Sequence, residues 1–354
     1  MAQRRTLRTG YTTGTCAAAA AKGALALLLG KRLRSISLML PGGRSVRLRP
    51  RSIRRCGGEA VCEIVKQAGD DPDVTNGAVI AATVALRGRP AITIRGGEGV
   101  GRVTRPGLAV APGRPAINPV PRKMIRDALR ELLPKGAGAA VTISVPGGAA
   151  LAQKTLNPRL GITGGISILG TTGEVIPYSH AAYRDSIVCA LAVARAAGAA
   201  AVVLSTGKSS ERDARKHYPG LPEEAFVLMG DYYAFGLRQA AKHGIKKIIL
   251  SCFPGKLLKM AAGAECTHCS RSAIDMQVMA DMASACGARD SARRTIAGAN
   301  TVRHACMEMP GALQTKLCRH MALLVKDYVE KNVSDEIVFE VLVLSYKGGP
   351  VVSV

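Results

Sequence analysis

The most constraining feature of the sequence is a run of alternating strand-like and helix-like segments between residues 180 and 262. Ala200-Ala201-Val202-Val203-Leu204-Ser205 is continuously apolar, as a strand covered on both faces must be. An Ala-rich helical segment from His180 to Ala197 precedes it, and a charged one from Ser209 to His217 follows. Strand Ala225 to Met229, helix Tyr232 to His243, strand Lys246 to Ser251 and helix Lys256 to Ala262 continue the rhythm. Strand–helix–strand units of this length predict a parallel sheet covered by helices. Helices dominate from Ile274 to Lys331, and Glu336 to Ser345 reads as a final strand.

The first part of the chain has a different character. Ile36 to Leu40 and Ser45 to Leu48 alternate across Pro41-Gly42-Gly43 and read as a hairpin. Ala60 to Ala68, Val79 to Leu86, Ala91 to Arg95 and Ala139 to Val145 are further strands, and Asn118-Pro119 starts a helix running to about Leu133. The expectation is an α+β N-terminal domain, residues 1–150, followed by an α/β Rossmann-like C-terminal domain, residues 151–354, with a largely parallel sheet. The boundary is placed between Gly147 and Lys154, and no internal repeat is evident.

Near the start, Arg4 and Arg5 precede an apolar stretch from Cys16 to Leu29, a pattern shared with twin-arginine signal peptides. Lys22 inside the stretch, the turn Gly10 to Gly14 before it and its short length favour a buried helix stopped at Gly30. No other segment is long and apolar enough to be transmembrane. Ten cysteines spread over 354 residues lack the density of a disulfide scaffold, which points to free thiols and a reducing cytoplasm.

Lys and Arg outnumber Asp and Glu by 49 to 25, a formal charge of +24 that attracts polyanions. Nucleic acid is one such partner, and a substrate bearing many carboxylates is another. Nucleic-acid surfaces interleave basic stretches with stacking aromatics. Here there is no Trp, only four Phe and eight Tyr, and the basic residues are scattered.

Four Gly-rich segments stand out, and none fits a common nucleotide fingerprint. Gly97-Glu98-Gly99-Val100-Gly101-Arg102 lacks the last glycine of a dinucleotide loop, and Thr206-Gly207-Lys208-Ser209 ends like a phosphate loop but has Val202 where the opening glycine belongs. The others are Gly10 to Gly14 and the long stretch Gly161 to Gly173. Such bare backbone with hydroxyls can admit a nucleoside or a carboxylate, or can simply turn. Asp70, Asp71 and Asp73 share a turn suited to a cation or a hydroxyl-bearing ligand, or to capping local amides. Asp231 follows an apolar strand, where α/β enzymes hold a ribose hydroxyl, and an N-cap would sit there equally well. Cys266-Thr267-His268-Cys269, even with His304 and Cys306, has no zinc spacing, so no metal site is expected and His268 reads as part of a helix-entry loop or ligand cleft.

Taken together and in order, these segments resemble the CbiD family, the cobalt-precorrin-5B C1-methyltransferases of anaerobic cobalamin synthesis. The resemblance is carried by Arg8 to Cys16, Gly69 to Thr75, Gly96 to Thr104, Pro115 to Arg122 and, longest, Asn157 to Gly173. Cys269 stands where the family pattern has a serine after the histidine, and Thr206 to Pro222 follows an alternative form.

The resemblance implies S-adenosylmethionine as methyl donor and a cobalt-containing tetrapyrrole as acceptor, cobalt-precorrin-5B giving cobalt-precorrin-6A, with cobalt only as part of the substrate. Under it, Thr163, Gly164, Gly165, Gly170, Thr171, Thr172, Gly173 and Asp231 become candidate donor contacts. Thr12, Thr13, Arg95, Arg102, Arg105, Arg159, Lys256 and His268 become candidates for the carboxylate-rimmed substrate. Glu98 and Asp231 are the candidate catalytic carboxylates, to balance a sulfonium or hold ribose hydroxyls. The expected partners are the polycarboxylate tetrapyrrole, a second copy of the chain or neighbouring pathway enzymes, and neither nucleic acid nor membrane.

Overall fold

The computed structural model describes residues 7–354, which divide into two compact units, one ending at His180 and the other running from Ala181 to Val354. Arg4 and Arg5 lie outside the described residues. Both units mix helices with sheets, and both sheets contain parallel pairs.

In the first unit, helix Thr13–Leu28 is the centre of the core. Thr12 caps it through a side-chain bond to the Thr15 amide (3.2 Å), and every residue from Thr13 to Ala26 is buried. Its alanines let it lie close on the sheet: a Cβ on Gly23 would stand 2.6 Å from Ile36 and 2.8 Å from Cys62. Lys22, the one charge within it, reaches Glu131 and the Ser37 carbonyl with its ammonium. The apolar stretch is therefore a core helix, and among the described residues no helix is long and apolar enough to cross a membrane.

The sheet beneath it runs in the order Ser52–Cys56, Glu59–Val65, Val79–Arg87, Gly138–Ser144, Ile92–Gly96. The pairs are antiparallel except the last, where Ile92–Gly96 lies parallel to Gly138–Ser144 as an edge strand. The expected hairpin forms, with Ile36 opposite Leu48. Helix Pro119–Arg130 turns Met124, Ile125, Ala128 and Leu129 into the same core.

The domain boundary expected near residue 150 moves to His180. Backbone pairing is the reason: Ile162–Thr163 joins Arg102–Val103, Glu174–Val175 joins Gly10–Tyr11, and Ile166 and Ile168 bridge to Val100 and Ile117. Residues 151–180 thus complete the first unit's core.

The second unit opens with helix His180–Ala196. Its sheet has the order Phe226–Leu228, Val202–Ser205, Lys247–Cys252, Val338–Leu344, Pro350–Ser353, parallel throughout except for the last, antiparallel strand. Alternate residues serve the two faces. Val202 and Leu204 join the large cluster with helices Tyr233–Lys242 and Gly311–Asn332, whereas Val203 packs with Ala214 of helix Lys208–His217. The helical region from Ile274 to Lys331 resolves into Met276–Ala285, Asp290–Ala297, Val302–Glu308 and Gly311–Asn332.

Candidate active site at the carboxyl edge of the second sheet

From strand Val202–Ser205 the chain crosses first to Phe226–Leu228 on one side and then to Lys247–Cys252 on the other. The connections therefore part at the carboxyl ends of Val202–Ser205 and Lys247–Cys252, and open parallel sheets take ligands in such a crevice. Two helices begin there, Lys208–His217 after Thr206-Gly207 and Pro254–Ala261 after Phe253. The first amides of Lys208–His217 have no intrahelical acceptor and lie at the positive end of the helix dipole, whereas Pro254 has no N–H and the Gly255 amide donates to the Tyr346 hydroxyl (3.2 Å). Ser205, fully buried at the end of its strand, has a hydroxyl with no hydrogen-bond partner among the described residues.

Asp231 is the polar centre of this edge. Gly230 turns the chain with φ +59° and the Tyr183 hydroxyl fills the place its Cβ would need, 2.6 Å away. The Asp231 Oδ1 accepts from the Lys256 ammonium and from Thr267 Oγ1 (2.8 Å), while the Thr267 amide donates to the Asp231 carbonyl (3.0 Å). Oδ2 has no hydrogen-bond partner among the described residues. Burial would raise the Asp231 carboxyl, but the bonds from Lys256 and Thr267 outweigh it and hold the group below its ordinary value. Burial, and then the charge of Asp231, push the Tyr183 phenol up.

Lys259, buried, donates to the carbonyls of Thr267 (3.0 Å) and Ser272 (2.6 Å), pinning the segment that carries Thr267 and His268. His268 pairs through Nδ1 with Ser270 Oγ at 2.7 Å, and its charge helps lower Asp231. Asp231, Lys256 and His268 are thus brought together. Thr267 and Tyr183 are the members that sequence reasoning missed: one hides inside the Cys266–Cys269 motif, and the other lies in a helix far back in the chain. Among the described residues no group of three His, Cys, Asp or Glu could hold a metal ion.

The remaining candidates lie in the first unit and do not form one cluster. Thr12 and Thr13 are buried, and their hydroxyls hold the chain. Thr13 Oγ1 bonds the Leu169 amide (2.9 Å) and the Ser167 carbonyl (3.1 Å), and Thr12 caps its helix. They position the Gly161 to Gly173 stretch. Three of the candidate glycines have the same duty. A Cβ would stand 2.2 Å from the Gly99 carbonyl at Gly165, 2.4 Å from the Thr12 hydroxyl at Gly170 and 2.8 Å from Leu40 at Gly173. Thr163, at the end of its two-residue strand, and Gly164, Thr171 and Thr172, in bends, are exposed.

Glu98 is exposed, and its carboxylate makes no ion pair with a described residue. Arg95 stands on the sheet face opposite the core-facing Ile94, and Arg102 donates to the Gly113 carbonyl. The Arg105 stem packs over Gly161, and Arg159 is half-buried. The acidic turn is internally satisfied: Asp70 binds Arg8, Asp71 accepts from the Tyr178 amide, and Asp73 holds buried Lys66 (2.6 Å) and the Thr75 amide (2.7 Å). Of the three, only Asp73 caps a local amide; Asp70 and Asp71 accept from amides distant in sequence.

The family model described as CbiD matches residues 1–177, and the model described as CbiD, C-terminal domain, matches residues 266–354. The chain belongs to the CbiD family. It is 50% identical over 305 residues to the cobalt-precorrin-5B C(1)-methyltransferase of Geobacillus kaustophilus, covering 85% of this chain and 82% of that one. The proteins of the same name from Salinispora arenicola and Priestia megaterium are each 44% identical. They cover 98% and 97% of this chain and 92% and 94% of their own lengths. The crystal structure of the CbiD cobalamin biosynthesis protein from Archaeoglobus fulgidus aligns at 31% identity with a TM-score of 0.40, over 73% of this chain and 81% of that one. Membership in CbiD therefore extends across both units.

Proposed function

We propose that this protein is a cytoplasmic methyltransferase that moves the methyl group of S-adenosylmethionine to C1 of cobalt-precorrin-5B in cobalamin biosynthesis. The observation that carries the reaction is 44–50% identity, along most of the chain, to relatives named for it. What supports a Rossmann-like donor site in the second unit is the divergence of connections at Val202–Ser205, with Gly207, Gly230 and Asp231 at the strand ends.

These residues fit the donor. Oδ2 of Asp231 is open to a ribose hydroxyl, and the amides that begin helix Lys208–His217 suit a carboxylate. The unpartnered Ser205 hydroxyl is a further polar group at this edge. When bound, the donor supplies an electrophilic methyl on a sulfonium.

The protein's task is then alignment. A ring carbon forms the new C–C bond as the C–S bond breaks and sulfur keeps the electron pair. Holding carbon and methyl in line supplies much of the rate without acid–base help. Because Lys256 already neutralises Asp231, this carboxylate serves as a hydroxyl acceptor better than as a counter-ion to the sulfonium. Glu98, exposed and in the first unit, has no comparable setting.

Isothermal titration with S-adenosylmethionine, beside a fluorescence titration with mixed-sequence RNA, tests the reading. Saturable donor binding with weak RNA binding is expected. Tight, salt-sensitive RNA binding with no donor binding would favour a nucleic-acid protein instead.

A further inference from the structure

Helix Pro119–Arg130 carries arginines at positions 122, 126 and 130, four residues apart and therefore on one flank. Its apolar face is committed to the core, so this flank runs beside the edge strand Ile92–Gly96. Arg122 is half-buried, donating from Nε to the Ile117 carbonyl (2.8 Å) and from Nη1 to the Ile94 carbonyl (3.3 Å). Arg126 and Arg130 border a groove of about 360 Å³ that Pro90, Ile92, Leu133 and Pro134 also line.

The charges here are poorly compensated. The side chains of Arg114 and Arg126 make no ion pair with a described residue, and Asp127 is shared between Lys123 (2.6 Å) and Arg130 (3.5 Å). Glu131, next along, pairs with Lys22. Burial, and then the charges of Arg126 and Arg114, push Arg122 below its ordinary value, so like charges are being held together. A solvated basic surface would spread such charges; here Arg126 and Arg130 flank one groove. Paired guanidinium groups flanking a groove complement a ring edge that bears carboxylate arms.

We propose that the groove between helix Pro119–Arg130 and strand Ile92–Gly96 binds carboxylate arms of the tetrapyrrole substrate, with Arg126 and Arg130 as the clamping residues. Arg122 supplies positive field from beneath and fixes the helix to the edge strand. The substrate class rests on the methyltransferase reading above; the groove and its charge do not.

The test uses the full chain with Arg126→Gln/Arg130→Gln, beside a charge-matched control, Lys316→Gln/Arg319→Gln, on exposed positions of helix Gly311–Asn332. Uroporphyrin I, a fluorescent tetrapyrrole ringed with acetate and propionate arms, is the binding probe, and methyl transfer to cobalt-precorrin-5B gives KM and kcat. Loss of two charge-assisted clamps should raise both the uroporphyrin Kd and the substrate KM by about tenfold or more, with kcat and donor affinity little changed. The control should stay within about twofold, as expected if local geometry and not net charge decides. Equal effects of the two double variants, or none from either, would overturn the proposal. If the wild type transfers no methyl yet uroporphyrin still separates the variants, the reaction assignment fails and the groove stands.

Discussion

Replacing Asp231 by Asn probes the carboxyl-edge site at its most polar point. Asn keeps the shape and can still accept from Thr267, but it loses the charge that pairs with Lys256 and turns the open Oδ2 position into a donor. A ribose hydroxyl that donated to Oδ2 then meets another donor. A hydrogen bond to a charged group contributes about 1.5–3 kcal/mol, so the Kd for S-adenosylmethionine should rise by about 10- to 100-fold. The stability cost is much smaller. Lys256 and Asp231 side chains are 33% and 25% exposed, so solvent screens the pair and about 1 kcal/mol or less is at stake. Affinity and stability therefore separate: titration calorimetry should show the loss while thermal unfolding barely moves. An unchanged Kd in a folded protein would refute the role of Asp231, as would an affinity loss that merely tracks unfolding.

Gly99 has φ +68°, and a Cβ there would lie 1.9 Å from the Val145 carbonyl oxygen, so Gly99→Ala should destabilise the first unit by about 3 kcal/mol or more in urea denaturation. Gly113→Ala, at φ +80° but with nothing within 4 Å, should cost only about 1–2 kcal/mol by the same measurement. Asp73 is held below its ordinary value: burial opposes this, and the bonds from Lys66 and Thr75 prevail. A depressed folded value means the stabilisation is present above the unfolded carboxyl value and is lost as pH falls through the folded one. Between about pH 5 and pH 3 the wild type should thus lose more stability than Asp73→Asn, which already lacks the charge opposite buried Lys66. Parallel pH slopes for the two proteins, followed by circular dichroism, would contradict that assignment.

The parallel sheet of the second unit was legible because Val202 to Ser205 and Lys247 to Cys252 are largely apolar runs, each set between two helices. Strand Ser52–Cys56 was not: it is an exposed edge carrying two arginines, with no buried face to impose alternation. The two-residue pairings of residues 162–163 and 174–175 are too short for any period, and they decide where the first unit ends. In the same way, Gly-rich segments that read as ligand loops have glycines packed against backbone, as Gly165 does on Gly99; sequence composition does not distinguish close approach to a ligand from close approach to the chain itself. Asp231, Lys256 and His268 were recoverable because each follows or flanks a recognisable element. Thr267 and Tyr183 join them only through tertiary packing, and the 122–126–130 stripe was masked by the abundance of arginine elsewhere.

The most direct test of the central claim is anaerobic incubation of the protein with cobalt-precorrin-5B and methyl-labelled S-adenosylmethionine, followed by mass spectrometry of the tetrapyrrole. A tetrapyrrole heavier by one labelled methyl, with the donor consumed in step, is the predicted result. No gain, with the donor intact and the same substrate methylated by the Priestia megaterium relative, would contradict the assignment.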